Sequence, residues 1–326
     1  MVIRRTEDTE NCQEAVMWCV VYQTRSGAAA GIAWHRRQAP PSRLTGRGGA
    51  DETGSAHDGN RPGGEVCTAM NSDRPVVDLR GTRAAVLGST SGIGRATALA
   101  LADAGADVIV HGRSSRARAE GVAAEIQAKG VRAGVVMADL ADRDAGDRLV
   151  QDAWSLWNGL DAWLHIAGAD TLTGAAARLP FDAKLDLLWS VDVVATVRLC
   201  RAVGKRMAAQ GSGSIVTMGW DQAETGMEGD SGELFAVTKG AIMAFTRSLA
   251  VSLAPAVRVN AIAPGWIKTA WGDGASQPWH DRVLRETPLA RWGTPEDVAQ
   301  AACFLVSPAA AFVTGQVFRV NGGSVR

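Results

Sequence analysis

The sequence predicts an α/β domain built as a doubly wound parallel sheet with helices on both faces. Three observations carry this expectation. Seven short apolar runs recur at 84–87, 108–110, 135–137, 162–166, 215–218, 257–262 and 317–320. Stretches of helical period lie between them, at 93–104, 118–129, 143–157, 182–209, 234–253 and 295–307. A glycine-rich turn joins the first run to the first helical stretch.

The first run reads Ala-Ala-Val-Leu, and most of the later ones are short, largely uninterrupted apolar runs. Such strands are expected to be covered on both faces. The helix at 93–104 follows the glycine turn directly, and those at 118–129 and 143–157 return the chain to the next strands. The stretches 182–209 and 234–253 are the long ones. The last helix opens with Pro295, Glu296 and Asp297, a proline tolerated in the first turn and two acids that suit the positive end of the helix. Strand and helix in alternation give parallel pairing, and right-handed crossovers place helices on both sides.

Composition supports a globular protein. The 326 residues are 46% hydrophobic and 21% charged, which is material enough for a core. The 34 basic and 34 acidic side chains cancel, so no net charge is available for sequence-independent nucleic-acid binding. The apolar stretch 15–22 is too short to span a bilayer, and it follows Glu7, Asp8 and Glu10, the wrong flank for a signal peptide. Five scattered cysteines (Cys12, Cys19, Cys67, Cys200, Cys303) suggest reduced thiols in a cytoplasmic protein and no metal site. Neither nucleic acid nor membrane is expected as a partner.

Residues 1–75 show no sustained period and contain turn-forming segments such as Gly59-Asn-Arg-Pro-Gly-Gly64. The expectation is a disordered extension, with Met70 as an alternative start, ahead of one domain over 76–326. Eleven tryptophans accompany a single tyrosine, Tyr22, which lies in that extension.

The turn after the first strand reads Gly88-Ser89-Thr90-Ser91-Gly92-Ile93-Gly94. Gly88 suits a tight turn, Gly92 lets a pyrophosphate approach the backbone, and Gly94 lets the helix pack against the sheet. The helix N-terminus then offers free N–H groups to phosphates. A dinucleotide site is the leading reading, and a packing turn without ligand is the other. The second strand ends Val110-His111-Gly112-Arg113, with no acid to bind a ribose 2′-hydroxyl. Arg113 either pairs with a 2′-phosphate, which favours NADP(H) over NAD(H), or is a solvated surface arginine.

These residues, together with later ones, resemble the short-chain dehydrogenase/reductase family over about residues 80–323. The glycine spacing is that of its nucleotide loop, and Ala138-Asp139-Leu140 is similar to its adenine-contacting segment. Ala167-Gly168 resembles the end of its Asn-Asn-Ala-Gly motif, and Pro264-Gly265-Trp-Ile267-Lys-Thr269 its nicotinamide-side loop. The segment 288–299 and the pair Thr314-Gly315 through Asn321-Gly322-Gly323 resemble its C-terminal signature. The resemblance implies a single-domain Rossmann-type fold, a nicotinamide cofactor, a small-molecule substrate and a homodimer or homotetramer built on 182–209 and 234–253. It implies cofactor contacts at Gly88, Ser89, Ser91, Gly92, Ile93, Gly94, Arg113, Asp139, Leu140, Ala167, Gly168, Lys239, Pro264, Gly265, Ile267 and Thr269.

At the catalytic positions the resemblance breaks. The family carries a Tyr and a Lys four apart on a long helix, a Ser at the end of the preceding strand and an Asn on the neighbouring helix. Here these positions hold Phe235, Lys239, Trp220 and Asp192, and the first two residues of the Asn-Asn-Ala-Gly motif read His165-Ile166. Phenylalanine has no proton to exchange, and a positioned general acid typically contributes about 10²–10⁴-fold. A replacement is sought among Asp221, Glu224, Glu228, Asp230 and Glu233, one of which buried against Trp220 would have a raised pKa; the alternative is a solvated polar loop. Asp192 is a candidate ion-pair partner of Lys239. His165 is read as structural before catalytic. Trp154, Trp157 and Trp163 suggest core or interface packing, whereas Trp220, Trp266 and Trp271 border either an aromatic pocket or more core.

The leading expectation is an NADP(H)-dependent oxidoreductase of carbonyl or alcohol substrates with a non-standard site. A catalytically silent NADP(H)-binding protein or subunit is the alternative, and a dehydratase or cyclase using a loop carboxyl is a third.

Overall fold

The computed structural model describes residues 77–324. The expectations for residues 1–75, Met70 and Tyr22 included, lie outside the described residues, as do Cys12, Cys19 and Cys67. Seven strands form one sheet: β1 (Arg83–Leu87), β2 (Asp107–Gly112), β3 (Ala133–Met137), β4 (Ala162–His165), β5 (Gly213–Met218), β6 (Val257–Pro264) and β7 (Val317–Val320). All neighbours pair in parallel, in the order β3-β2-β1-β4-β5-β6-β7. All seven predicted strands are present.

The central strands are mostly apolar because successive side chains enter two different cores. Ala84 and Val86 of β1, with Val108 and Val110 of β2, face the layer of α1 (Gly92–Asp103), α2 (Arg116–Gln127) and a C-terminal helix over Pro295–Val306. Ala85, Leu87 and Ile109 face the opposite layer, with α3 (Arg143–Leu156) and the long helices that follow β4 and β5. Trp163 of β4 is fully buried in this second core, as expected of a core tryptophan. Arg132 lies 5.0 Å over the Trp157 ring and Arg206 5.7 Å over Trp154.

The predicted helix at 182–209 is interrupted. It consists of α4 (Phe181–Leu188), a π-helical turn (Trp189–Val194) and α5 (Ala195–Gln210). A π turn takes in an extra residue and rotates the following side chains, and such turns often sit at functional sites. This one carries Asp192 into the interior. The next helix, α6 (Asp230–Leu253), begins four residues before its predicted start at 234. It is long and apolar enough to cross a membrane by length and composition. Here it packs along β5 and β6, burying Leu234, Ile242, Met243 and Leu249.

Two unpredicted helices, α7 (Ala270–Asp273) and α8 (Gln277–Glu286), fill the excursion between β6 and α9 (Pro295–Val306). Their tryptophans and short length hide helical periodicity. The α9 start is as expected: Thr294 and Asp297 form a reciprocal capping box, with Pro295 in the first turn. Strand order reverses between β1 and β4, and the crevice beyond the C-terminal ends of these strands is where doubly wound sheets bind ligands.

Candidate active site

The glycine turn is shaped for close approach. A Cβ on Gly94 would lie 2.2 Å from the Gly88 carbonyl oxygen, and one on Gly88 would lie 2.7 Å from the Ala167 Cα. Gly88 also has φ +78°, in the left-handed region that glycine tolerates. Gly92 is different: at φ +51° its requirement is conformational, and a Cβ would meet nothing closer than 3.9 Å. Ser91 precedes α1 without a side-chain cap, so the first N–H groups of the helix remain open to a ligand.

The turn forms one wall of a groove of about 660 Å³. Gly88, Ser91, Ile93, Gly94, Arg113, Asp139, Leu140, Ala167, Gly168 and Thr269 all line it. Ser89 does not. Its hydroxyl donates to the Val86 carbonyl at 2.8 Å and accepts from the His111 N–H at 3.0 Å, tying β1 to β2. Pro264, Gly265 and Ile267 line an adjoining pocket, and Thr269 lines both. At the outer end stand Arg113 and Arg118, neither with an ion-pair partner among the described residues, whereas Arg116 pairs with Glu120. Arg118 was not singled out in the sequence because three arginines in six residues look alike there. The structure separates them.

His111 braces the floor of the groove. Its Nδ1 accepts from the Gly88 N–H at 3.1 Å, so the proton sits on Nε2, which faces the Ala138 carbonyl at 3.2 Å. Burial drives its pKa down to about 4. His165, at the end of β4, is 1% exposed, and neither ring nitrogen has a hydrogen-bond partner among the described residues. Burial, then the charges of His111 and Lys239, push its pKa down to about 3. Both imidazoles are therefore neutral at physiological pH. His165 lines neither cavity, in keeping with the structural reading.

The expected Lys239–Asp192 pair is present. Lys239 Nζ lies 2.7 Å from Asp192 Oδ2, and both side chains are almost completely buried. The other carboxylate oxygen accepts from the Ala169 N–H at 2.8 Å. Gly168 makes room for the carboxylate: a Cβ there would sit 2.9 Å from Oδ2. The π turn, α6 and the segment after β4 thus converge on one buried charge pair.

Lys239 also lines the adjoining pocket, about 530 Å³, with Phe235, Trp220, Met218, Trp266, Trp271 and Trp279 among its walls. Phe235 stands one turn before Lys239 on α6, and its ring meets Trp220 edge-on at 6.1 Å. Trp266 stacks on Trp271 at 6.1 Å, and Trp279 packs against both. The expected aromatic wall is therefore real, and α7 and α8 extend it with Trp279, and with Trp292 behind.

None of the five loop carboxylates lines this pocket. Asp221 is buried and its pKa is raised by desolvation, as expected of a carboxyl beside Trp220. It faces the C-terminal segment instead, accepting from Asn321 Nδ2 at 3.2 Å and Ser324 Oγ at 3.1 Å. Glu224 pairs with Arg247 and Arg319, and Glu228 with Arg282. Asp230 and Glu233 are exposed. The thiols of Cys200 and Cys303 are buried, with burial pushing Cys303 up to about 12. Among the described residues no cluster of metal-ligating side chains occurs.

A groove at the reversal point of a parallel sheet, adjoining a pocket that holds a lysine, is the architecture of a Rossmann-like α/β fold. The model of a family described as enoyl-(acyl carrier protein) reductase matches residues 88–324. The chain belongs to the short-chain dehydrogenase/reductase family of oxidoreductases. It is 38% identical over 247 residues to a 3-oxoacyl-[acyl-carrier-protein] reductase of Synechocystis, covering 74% of this chain and 96% of that one. It is 36% identical to the corresponding FabG reductase of Aquifex aeolicus, over 76% of this chain and 98% of the relative. Among solved structures, a 7α-hydroxysteroid dehydrogenase complexed with NADH and a 7-oxo bile acid superposes with a TM-score of 0.70 at 31% identity, covering 79% of this chain and 98% of that one. A gluconate 5-dehydrogenase from Burkholderia cenocepacia, in complex with NADP and tartrate, gives 0.68 at 28% identity, with coverage of 76% and 96%.

Proposed function

We propose that the protein is an NADP(H)-dependent oxidoreductase of small-molecule carbonyl or alcohol substrates in which Lys239 supplies the proton at the reacting oxygen. The observation that carries this is the position of Lys239: paired with Asp192, and in the wall of the same pocket as Phe235 and Trp220. By the family resemblance, Phe235 and Trp220 occupy the places of a proton-transferring tyrosine and an oxygen-binding serine. Neither replacement has a hydroxyl.

The groove fits the cofactor. Gly88 and Gly94 leave no volume where a Cβ would stand, and the open N-terminus of α1 favours phosphate. Gly88, Ser91 and Gly94 would hold the pyrophosphate, Arg113 and Arg118 a 2′-phosphate, and Asp139 and Leu140 the adenine side. Ala167, Gly168 and Thr269 would flank the nicotinamide half. Bound there, NADP(H) supplies or accepts a hydride. NADP in the gluconate dehydrogenase relatives supports the choice of cofactor.

The protein's own part is electrostatic. An ammonium has three donors, and Asp192 takes one. The remaining donors are available to a carbonyl oxygen and a ribose hydroxyl. Asp192 fixes the position of the Lys239 ammonium in the pocket wall through their 2.7 Å contact. The aromatic walls place few competing polar groups around that ammonium, and a less polar surrounding strengthens hydrogen bonds made to developing negative charge.

Two measurements test the reading. NADPH fluorescence titration is expected to show binding, weakened about tenfold for Arg113→Ala with Arg118→Ala while NADH affinity is unchanged. Single-turnover oxidation of NADPH with ketones, quinones and imines is expected to find a substrate whose turnover depends on Lys239. Tight NADPH binding with no turnover would instead establish a silent binding protein, a reading favoured by the Trp220–Phe235 contact, in which two rings stand where the family resemblance implies a tyrosine and a serine hydroxyl. The dehydratase or cyclase reading drew on a loop carboxyl, and no carboxyl lines this pocket.

A further inference from the structure

The pocket beside Lys239 has a charge pattern that selects its ligand. Its lining contains no aspartate or glutamate and two lysines, Lys239 and Lys184. Lys239 is already neutralised by Asp192. Lys184, on α4, is half-buried, and its ammonium makes no hydrogen bond or ion pair among the described residues. Positions 180 and 188, one turn away on either side, are Pro180 and Leu188, so its own helix offers no i,i±4 acid. The aspartates of α4, Asp182 and Asp186, are exposed and line no part of this pocket. Thr171 lines it too, is 3% exposed, and its hydroxyl has no hydrogen-bond partner among the described residues. The pocket therefore holds a half-buried cation and a hydroxyl, neither engaged by another side chain among the described residues and both free to bind a ligand.

The rest of the wall is aromatic. Phe235 and Trp220 stand on one side of the chain's path, and Trp266, Trp271 and Trp279 form a mutually packed group contributed by the loop after β6, α7 and α8. Rings with this exposure of face and edge favour flat ligands over branched or highly hydroxylated ones.

We propose that this pocket binds a planar aromatic carboxylate, its ring system held by the tryptophans and its carboxylate met by Lys184 and Thr171. This deepens the oxidoreductase reading by naming the substrate class, and rests on it for the catalytic role of the site. Lys184 is then the specificity-determining residue, and the reacting carbonyl or hydroxyl is a second group on the same molecule, directed at Lys239.

The test is calorimetric titration of the full-length protein with 2-naphthoate and with its neutral twin 2-naphthamide. The acid is expected to bind about tenfold more tightly than the amide. Lys184→Gln is expected to abolish that preference while leaving amide affinity unchanged, and Thr171→Val to reduce it. Because a carboxylate could also bind at the arginines of the groove, the preference must survive Arg113→Ala with Arg118→Ala. Equal binding of acid and amide, binding of neither at millimolar concentration, a preference untouched by Lys184→Gln, or its loss in the arginine variant would each overturn the proposal. Lys184 is partly exposed, so its substitution leaves folding intact, which circular dichroism verifies. NADPH titration of the same samples separates the two ideas: loss of cofactor binding defeats the oxidoreductase reading, whereas the naphthoate preference reports on the pocket alone.

Discussion

Asp192 and Lys239 reach each other from two different helices, a π turn and the middle of α6, and form an ion pair of 2.7 Å that is nearly sealed from water. Burying two charges costs several kcal/mol per ion, so the pair contributes little net stability, but removing one member strands the other. Asp192→Ala is expected to destabilise the protein by about 3 kcal/mol, at the lower end for a buried pair because Lys239 can still reach the pocket. Asp192→Asn, which keeps an acceptor for the Ala169 N–H, is expected to cost less. Urea unfolding measures both; equal stability of the Ala variant and the wild type would mean that the pair is not formed in solution.

The contact between Gly94 and the Gly88 carbonyl makes a sharper structural demand. A methyl at position 94 would lie 2.2 Å from that oxygen, and the obstacle is backbone, which cannot swing aside. Gly94→Ala is expected to cost about 1–3 kcal/mol through displacement of α1 from the sheet. It should also weaken NADPH binding, since α1 carries the N–H groups that face the groove. Gly130, with nothing within 4 Å of a Cβ but φ +85°, provides a contrast. Its replacement by alanine is expected to cost stability through strain and leave NADPH affinity untouched, as a fluorescence titration of both variants would show.

Stability should depend on acid through two buried imidazoles. In the folded protein His111 titrates near 4 and His165 near 3, against about 6.5 when unfolded. The unfolded chain therefore binds more protons throughout that interval. Their contribution is complete above pH 6.5 and is lost as pH falls toward 4 and 3, with a slope of up to about 1.4 kcal/mol per pH unit for each histidine. His111 has the stronger structural reason, because its Nδ1 must stay unprotonated to accept from Gly88. Unfolding free energies measured from pH 7 to pH 4 are expected to decline, and the decline should be shallower in His165→Leu. A flat profile in the wild type would refute the neutral, buried state of both rings.

The central strands were legible because apolarity on both faces leaves a nearly unbroken run, and the two cores show why: Ala84 and Ala85 are neighbours in sequence and belong to opposite layers. The groove was legible because glycine spacing reports steric need directly, at Gly88 and Gly94. The interruption at Trp189–Val194 was not, since a π turn leaves helical composition intact and its cause is tertiary. Nor was the inward hydroxyl of Ser89, which sits between Gly88 and Thr90, two residues that do line the groove. The Asp192–Lys239 pair was accessible only by way of family resemblance, as the two residues stand 47 positions apart. Lys184 gave no signal, because an isolated lysine in a charged helix is indistinguishable from a solvated one until its neighbours are placed. The same holds for Trp279, whose place in the aromatic wall depends on a helix that the sequence did not announce.

Phe235 and Trp220 offer a direct way to ask whether only hydroxyl groups separate this site from ordinary carbonyl reduction. The two rings meet at 6.1 Å in the pocket that also receives Lys239, and Phe235 lies one helical turn from it. Phe235→Tyr places a phenol beside an ammonium, which favours phenolate and so lowers the phenol's pKa toward a value useful for proton transfer. Trp220→Ser removes an indole and supplies a short donor at the end of β5. Each change alone is expected to do less than its share, because the tyrosine needs the space that Trp220 occupies and the serine needs a proton donor to cooperate with. Together they are expected to raise NADPH-dependent ketone reduction by about 10²-fold or more. The measurement is the initial rate with a simple aryl ketone, compared across the two single variants and the double variant at saturating NADPH. A double variant that is folded, binds NADPH and remains as slow as the wild type would show that the obstacle is elsewhere, and the direct Asp192–Lys239 bond, which withholds one of the lysine's donors, would be the next place to look.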